Sequence, residues 1–272
     1  MPFAAHWTSG TEITSVLLGP AILGFIVGFL VGLTGMGGGA MMTPLLLWTG
    51  WATPIVAVGT DLVWNALTKM VGATVHYRRN NVDLSLVWRL AIGSVPGATL
   101  GLFLLALLKR SASVEFVDHV IVRVLGGTLI LVALSMILKG FIRHPVGSAR
   151  LIAQDRLGTW QIPLIGFLVG ALVSFTSVGS GSLIVATLLL IFPRERLNKL
   201  VGSDVFHGML LVGVAAFGHL HLGDVNVPLV SGLLLGSVPG VWLGSSIANR
   251  IPEGALRPAV ATLLFVTGVK LI

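Results

Sequence analysis

Long apolar stretches separated by short polar connections extend from about Val16 to the last residue of the chain. Most of them are near the roughly 20 residues that cross a lipid hydrocarbon layer as an α-helix. Runs such as LVGALVSF and VIVRVLGGTLILVALSMIL are apolar on every side, whereas the strands of a membrane barrel alternate apolar and polar residues. The pattern therefore predicts an all-α membrane protein.

The second half of the chain repeats the pattern of the first half. GFIVGFLVGLTGMGGG matches GFLVGALVSFTSVGSG, and GSVPGATLG matches GSVPGVWLG. Between these matches, VGTD ending at Asp61 corresponds to VGSD ending at Asp204. A match over most of both halves indicates the duplication of one unit.

Each unit contains about five apolar segments. They are predicted at 16–33, 37–49, 55–76, 84–108 and 117–140 in the first unit, and at 160–176, 180–192, 199–219, 226–248 and 255–272 in the second. Because five is odd, consecutive units insert in opposite orientations, which gives the inverted repeat of many secondary transporters. We assign 1–138 to the first half, 139–159 to a cytoplasmic linker and 160–272 to the second half.

The second segment of each unit, 37–49 and 180–192, is too short to cross a bilayer alone at about 1.5 Å per residue. Both segments follow glycine-rich breaks, so we expect short or re-entrant helices there. Charge placement is the same for a hairpin and for two spans, and the sequence leaves both arrangements open.

Basic residues concentrate on one side of this topology. That side receives Arg78, Arg79, Lys139, Arg143, Arg150, Arg156, Arg194, Arg196, Lys199, Arg250 and Arg257. The other side receives little beyond Lys109, Arg110 and Lys270. Because cytoplasmic loops carry the excess of Lys and Arg, we predict a multi-pass inner-membrane protein with both termini on the extracytoplasmic side.

Composition agrees with this interpretation. With 55% hydrophobic and 10% charged residues, the 272-residue chain has too little polar surface for a water-soluble globule. The formal charge of +7 fits basic loops facing the cytoplasm, and we expect no nucleic-acid partner. The lack of cysteine excludes disulfides, thiol catalysis and cysteine-ligated metal. The N-terminal sequence has no basic region before its first apolar run, so no removable signal peptide is predicted.

Two glycine-rich breaks lie at equivalent positions of the two units. Their candidate substrate-binding residues are Thr34, Gly37, Gly38 and Gly39 in the first break, and Ser177, Ser180, Gly181 and Ser182 in the second. Helix N-termini carry partial positive charge and free N–H donors, and glycine lets an anion approach them closely. Two such ends converging from inverted halves predict an anion site near the membrane midplane. The alternative is that these glycines serve only close helix packing.

A polar stripe in the third segment contains further candidates. Asp61, Asn65 and Lys69 follow one another at steps of four on one helical face, and the second unit places Asp204 and His207 in the corresponding stretch. Ionisable groups inside a membrane mark paired or functional sites. We therefore predict that Lys69 and Asn65 contact an anion and that His207 contacts substrate or a proton. The two acids are candidates for a coupled proton, with helix capping as the structural alternative.

Other polar residues are given structural roles. His76 and His219 are expected at the water interface, where they close the same two helices. Arg89 and Arg123 lie near segment ends, where arginine anchors a helix by extending its charge to the interface. The two GSVPG stretches are expected to kink the fourth and ninth segments and pack them closely.

The combination of GLTGMGGG, GTDLVWNALTKMVGATVHYRRNNVD, SVGSGS and GSDVFHGM resembles the TauE/SafE sulfite exporter family. The resemblance covers nearly the whole chain and both repeats. It implies export of sulfite or of an organosulfonate such as sulfoacetate. Together with the candidate residues, it predicts a secondary transporter that exports a small anion by alternating access. Proton coupling is a further hypothesis, and no cofactor is expected.

Three alternatives stay open from the residues alone. Asp61 and Asp204 could bind Na⁺ or a divalent metal if Thr60, Ser203 and backbone carbonyls supplied the further oxygens that hard cations need. A passive channel is a second alternative. An intramembrane enzyme needs a nucleophile with a positioned base, or a metal cluster; the sequence has no GxSxG and no HExxH, so we predict no enzyme activity.

Overall fold

The structure, a computed structural model, describes residues 10–34, 39–141, 160–181, 183–184, 187–188, 197–247 and 253–272. Helices make up nearly all of these residues, which include no strand. The helices are α1 (Gly10–Thr34), α2 (Gly39–Thr49), α3 (Pro54–Arg78), α4 (Leu84–Ser111), α5 (Val114–Phe141), α6 (Gln161–Thr176), α7 (Leu197–Leu222), α8 (Val227–Ile247) and α9 (Glu253–Leu271). The described residues of the seventh predicted segment, 183–184 and 187–188, are also helical. The all-α prediction is confirmed.

Four of these helices, α4, α5, α7 and α8, are long and apolar enough to cross a membrane. Shorter apolar stretches lie in α1, α6 and α9. The outer faces expose large apolar side chains such as Phe103, Leu235 and Trp242. So much exposed apolar surface fits contact with lipid, and the prediction of a multi-pass membrane protein is confirmed.

The helices of the two units pair across the molecule. The first segment of each unit lies beside the fourth segment of the other, because α1 packs along α8 and α4 packs along α6. Equivalent helices also meet, α3 with α7 and α5 with α9. Gly59 of α3 approaches Asp224 just after the end of α7, whereas Gly72 approaches Val205 near the start of α7. Equivalent helices therefore run antiparallel, as an inverted repeat requires.

Glycines spaced mostly at intervals of four hold the α1–α8 and α4–α6 pairs together. A Cβ atom added to any of them would collide with the backbone of the partner helix. They are Gly24, Gly28, Gly32, Gly236, Gly240 and Gly244 in the first pair, and Gly93, Gly97, Gly166 and Gly170 in the second. This is the small-residue packing of membrane helices, and both GSVPG stretches take part in it as predicted.

α2 is a half-helix that turns back along α1. Its 11 residues extend about 16 Å, roughly half of a 30 Å hydrocarbon layer. Gly39, its first residue, lies beside Asn65 in the middle of α3, and Trp51, just after its end, contacts Gly19 of α1. In the first unit the structure thus favours the hairpin over two full spans.

α3 occupies the centre of the molecule between two apolar clusters. Leu62 belongs to a cluster shared with α4, α6 and α7, whereas Trp64 belongs to one shared with α1, α2, α5, α8 and α9. The polar stripe of α3 is buried inside the protein, whereas Leu67, Met70 and Val71 of the same helix are exposed.

The two units are not packed identically. α7 packs against α4 more extensively than α3 packs against α8, although the repeat makes the two pairs equivalent. The described structure is therefore an asymmetric arrangement of a pseudo-symmetric fold.

Candidate functional site

The polar stripe of α3 lies inside the protein. Asp61, Asn65 and Lys69 have exposed fractions of 0%, 1% and 7%. Burial of polar and charged groups is costly unless partners satisfy them. The inward orientation of the stripe agrees with the sequence prediction, and the neighbours of each side chain define what the site can hold.

The two acids do not cap their helices. α3 begins at Pro54, so Asp61 lies two turns inside it. α7 begins at Leu197, and Asp204 lies similarly deep. An N-cap residue precedes the first helical turn, so the capping alternative is wrong for both acids.

Asp61 is held by the half-helix α2. The Thr43 hydroxyl donates a hydrogen bond of 2.5 Å to its Oδ2, whereas its Oδ1 has no hydrogen-bond partner within the described residues. The Ser177 side chain lies close to the same carboxyl group, but its buried hydroxyl makes no hydrogen bond of normal geometry to any described residue. Asp61 Oδ1 and the Ser177 hydroxyl are therefore close together, and neither makes a hydrogen bond to a described residue.

The Lys69 ammonium reaches across to the second glycine-rich break. Its Nζ donates to the carbonyl oxygen and to the hydroxyl oxygen of Ser180, each at 2.9 Å. Asp204 and Asp61 both lie close enough to interact with it electrostatically. Gly208 of α7 leaves the room it needs, since a Cβ atom there would lie 2.5 Å from Nζ. Lys69 therefore joins the third segment of one unit to the break of the other.

The two breaks meet at Asn65. Ser177, in the second break, has a left-handed backbone with φ of 59°, and the Gly179 φ of 113° is one that side chains rarely adopt. This turn brings the Ser177 carbonyl against Gly39, the first residue of α2, and the Asn65 amide nitrogen lies against the same glycine.

Several predicted binding residues cannot be placed in this way. Gly37, Gly38 and Ser182 lie outside the described residues, as does the side chain of Thr34. Gly181 lies in the turn after Ser180. The described part of the site therefore consists of the α3 stripe, Gly39, the turn from Ser177 to Gly181 and the facing residues of α7.

His207 is bound by a serine of the first unit. It is fully buried, and its Nε2 lies 2.7 Å from the Ser94 hydroxyl oxygen. Trp64, its repeat equivalent, donates from Nε1 to the Ser237 hydroxyl at 3.0 Å. Ser94 and Ser237 are the serines of the two GSVPG stretches, so the same cross-unit contact occurs twice with different side chains.

The GSVPG stretches were expected to serve packing, and the contacts of their serines were not predicted. The available signal was that both copies keep a hydroxyl between glycine and valine. Thr43 was not predicted either, and the pattern gives no comparable signal for it because the equivalent part of the second unit does not align with it clearly.

In the sequence, each acid directly follows a residue whose hydroxyl accepts a hydrogen bond from a loop of the other unit. The Asp83 backbone N–H donates to the Ser203 hydroxyl at 2.7 Å, and the Asn226 backbone N–H donates to the Thr60 hydroxyl at 3.1 Å. The two contacts are repeat equivalents at opposite ends of the α3–α7 pair. We call them the 83–203 tie and the 226–60 tie.

His219 lies beside the 226–60 tie and not at a water interface. It is fully buried, its Nε2 lies 2.9 Å from the Ser174 carbonyl oxygen, and its Nδ1 lies 3.6 Å from Asp224. Asp224 also accepts a 2.6 Å bond from Lys109. The prediction that His219 meets water is wrong because its side chain is fully buried, and its Nδ1 makes no hydrogen bond to a described residue. His76 is partly buried, and Arg89 and Arg123 are exposed as helix anchors are.

Inverted helical units that enclose a buried, charged site between them define a class, the membrane transporters. The chain belongs to the sulfite exporter TauE/SafE family, whose family model matches residues 21–271.

The matches to three relatives cover nearly the whole of this chain and of each relative. The probable membrane transporter protein YjnA of Bacillus subtilis is 39% identical over 253 residues, which are 92% of this chain and 98% of that protein. The probable membrane transporter protein YunE of the same organism is 28% identical, with 92% and 95% covered. An archaeal relative, the probable membrane transporter protein MJ0441 of Methanocaldococcus jannaschii, is 24% identical, with 92% and 93% covered. No solved structure matches the chain.

Proposed function

We propose that this transporter exports a small anion, with sulfite and organosulfonates such as sulfoacetate as the first candidates. The observation that carries the proposal is the buried Lys69 ammonium, whose hydrogen bonds to described residues go to neutral oxygens of Ser180. A sulfite or sulfonate oxygen is a stronger partner for an ammonium group than a neutral oxygen. The description of the family model, sulfite exporter, supports the same substrate class.

Neutral donors next to Lys69 suit an oxyanion. The Asn65 amide nitrogen lies beside Gly39, and the Ser177 hydroxyl lies buried near Asp61. Both groups can donate hydrogen bonds to an anion that displaces Ser180 from Lys69. Gly181 carries no side chain, so an anion can approach the backbone of the second break there, whereas Gly39 is covered by the Ser177 carbonyl and the Asn65 amide nitrogen.

The charge balance of the site supports coupling to a proton. Asp61 and Asp204 carry two negative charges against the single positive charge of Lys69 when both acids are ionised. Adding an anion to a buried site with a negative balance is unfavourable. A proton on one acid removes that penalty, so the anion and the proton bind together.

The inverted fold provides a route for alternating access. The 83–203 tie and the 226–60 tie join the units at opposite ends of the α3–α7 pair, and each adjoins one acid of the site. We propose that occupation of the site weakens one tie while the other stays closed, so that the anion leaves on the side opposite to its arrival.

The test is transport of labelled sulfite and sulfoacetate by proteoliposomes. Lys69→Ala is expected to reduce transport roughly 30-fold or more, because losing one partner of a buried charge interaction costs about 2 kcal/mol or more. Lys270→Ala is the matched control, since Lys270 is an exposed lysine of α9, and it should transport normally. Unchanged transport by Lys69→Ala would refute the proposed anion site.

A second candidate function is transport of Na⁺ or a divalent metal. Its support is that Asp61 Oδ1, Asn65 Oδ1 and the Ser177 hydroxyl are all buried without a hydrogen-bond partner among the described residues. Oxygen atoms of this kind are the ligands of hard cations. Asp61→Asn would then abolish cation flux by the same proteoliposomes, while the sulfur anions would not be transported at all.

A further inference from the structure

A small cavity opens where α4 and α7 begin. Its volume is about 100 Å³, and Asp83, Ser85, Arg89, Lys199 and Ser203 are among its lining residues. Basic loops assign this end of the molecule to the cytoplasm in the predicted topology. The cavity is thus placed where a cytoplasmic substrate would first meet the protein.

The polar lining of the cavity has an excess of positive charge. Lys199 lies 3.5 Å from the Asp83 carboxylate, and both side chains are substantially exposed to solvent, so this ion pair is weak. The Arg89 side chain is exposed, and its guanidinium makes no ion pair or hydrogen bond to any other residue that the structure describes. Two cationic groups against one carboxylate leave a guanidinium group available to an anion, and guanidinium binds oxyanions through two parallel N–H donors.

The cavity is connected to the central site through Ser203. The Ser203 hydroxyl accepts from the Asp83 N–H in the 83–203 tie and donates to the Lys199 carbonyl. The next residue along α7 is Asp204, which interacts with the Lys69 ammonium. An anion in the cavity therefore lies against the tie that separates it from the proposed transport site.

The opposite end of the α3–α7 pair differs in its charged groups. Asp224 is buried and paired with Lys109 at 2.6 Å, and Asp118 lies close enough to Asp224 to interact with it. Arg110 is exposed at the same end, so acidic and basic groups occur together there. This end thus lacks the positive excess of the cavity lining, and the difference favours loading an anion from the cavity end.

We propose that this cavity is a capture site for the transported anion, with Arg89 as its principal partner and Lys199 as a second cation. The ligand is a small oxyanion of the sulfite or sulfonate class, so the inference rests on the proposed function. Arg89 acts before translocation. Its positive charge raises the local anion concentration and thereby lowers KM without altering the translocation step.

The experiment measures sulfoacetate uptake by inside-out membrane vesicles, in which the predicted cytoplasmic side faces the medium. Arg89→Gln is expected to raise KM about three- to tenfold at low ionic strength while Vmax stays unchanged, because electrostatic attraction at the mouth is lost. Added salt should raise KM in the unaltered protein and much less in Arg89→Gln. Arg89→Lys, which keeps the charge but loses the two parallel N–H donors, should raise KM less than Arg89→Gln does.

Arg110→Gln is the matched control, because Arg110 is an exposed arginine at the other end of the same helix. Its KM should not change. If Arg89→Gln has the unaltered KM while Lys69→Ala abolishes transport, the capture site is refuted and the transport site stands. If the unaltered protein transports no anion, the proposed function and the capture site are refuted together.

Discussion

Lys69 is a charged residue that the second unit does not repeat. Its counterpart in the second unit is Val212, and the residue that leaves room for its ammonium, Gly208, is the counterpart of Asn65. Both departures from symmetry are needed together, because any side chain at 208 would collide with the ammonium group. An asymmetric charge in a symmetric scaffold suits the asymmetric anion that we propose as substrate.

Asp61→Asn tests the proposed proton. Sulfoacetate is a suitable probe because its acid groups stay ionised between about pH 6 and pH 8. In the unaltered protein, acidification on the substrate side should lower KM, since protonating an acid removes repulsion of the anion. Asp61→Asn imitates the protonated group, so its KM should no longer depend on pH if Asp61 is the proton site.

Asp204→Asn is the companion variant for this measurement. Loss of pH dependence only in Asp204→Asn would assign the coupled proton to Asp204 of the second unit. Unaltered pH dependence in both single variants and in the double variant would contradict proton binding by these acids.

Part of the site could be predicted from single residues. Asp61, Asn65 and Lys69 at steps of four predicted a buried polar face, and the repeat predicted equivalent breaks. The pairing of Lys69 with Ser180 could not be predicted, because it joins residues 111 positions apart. The burial of His219 was missed for the same reason, since Ser174 and Lys109 come from distant segments.

At the scale of the helices, glycine spacing determines which pairs can approach closely. Gly97 of α4 packs directly on the backbone of α6, whereas a Cβ atom added to Gly213 of α7 would meet no described atom of a neighbouring element within 4 Å. We expect Gly97→Ala to destabilise the protein by about 1–3 kcal/mol, since the overpacked helices must move apart.

Gly213→Ala is the control for that change and should be neutral or slightly stabilising, because alanine has the higher helix propensity. Thermal unfolding in detergent measures both variants. Equal unfolding temperatures for the two would contradict the account of glycine-mediated packing.

Helix positions were largely predictable because hydrophobic length fixes them. Segment 84–108 became Leu84–Ser111 and segment 160–176 became Gln161–Thr176, both close to the prediction. α1 and α3 extend beyond their apolar segments, since polar residues at helix ends carry no hydrophobic signal. The packing partners of each helix depend on tertiary contacts and were not predicted.

For the whole molecule, the pairing pattern makes each half depend on the other. The glycine faces of α1 and α4 are covered only by α8 and α6 among the described helices. We expect chains 1–150 and 151–272 to restore transport when they are expressed together, and neither to accumulate in the membrane alone. Stable accumulation of a single half, measured by immunoblot of membranes, would contradict this interdependence.

The unequal packing of α7 on α4 and of α3 on α8 has a consequence for the conformations of the protein. If the two units exchange their local shapes, as alternating access by an inverted repeat requires, we expect the exchanged arrangement to be a second state of the same chain. In that state α3 would lie along α8 as α7 now lies along α4. The other state can therefore be built from this structure. Each unit is given the conformation that the other unit has now, and the result is the expected opposite conformation of the proposed transport cycle.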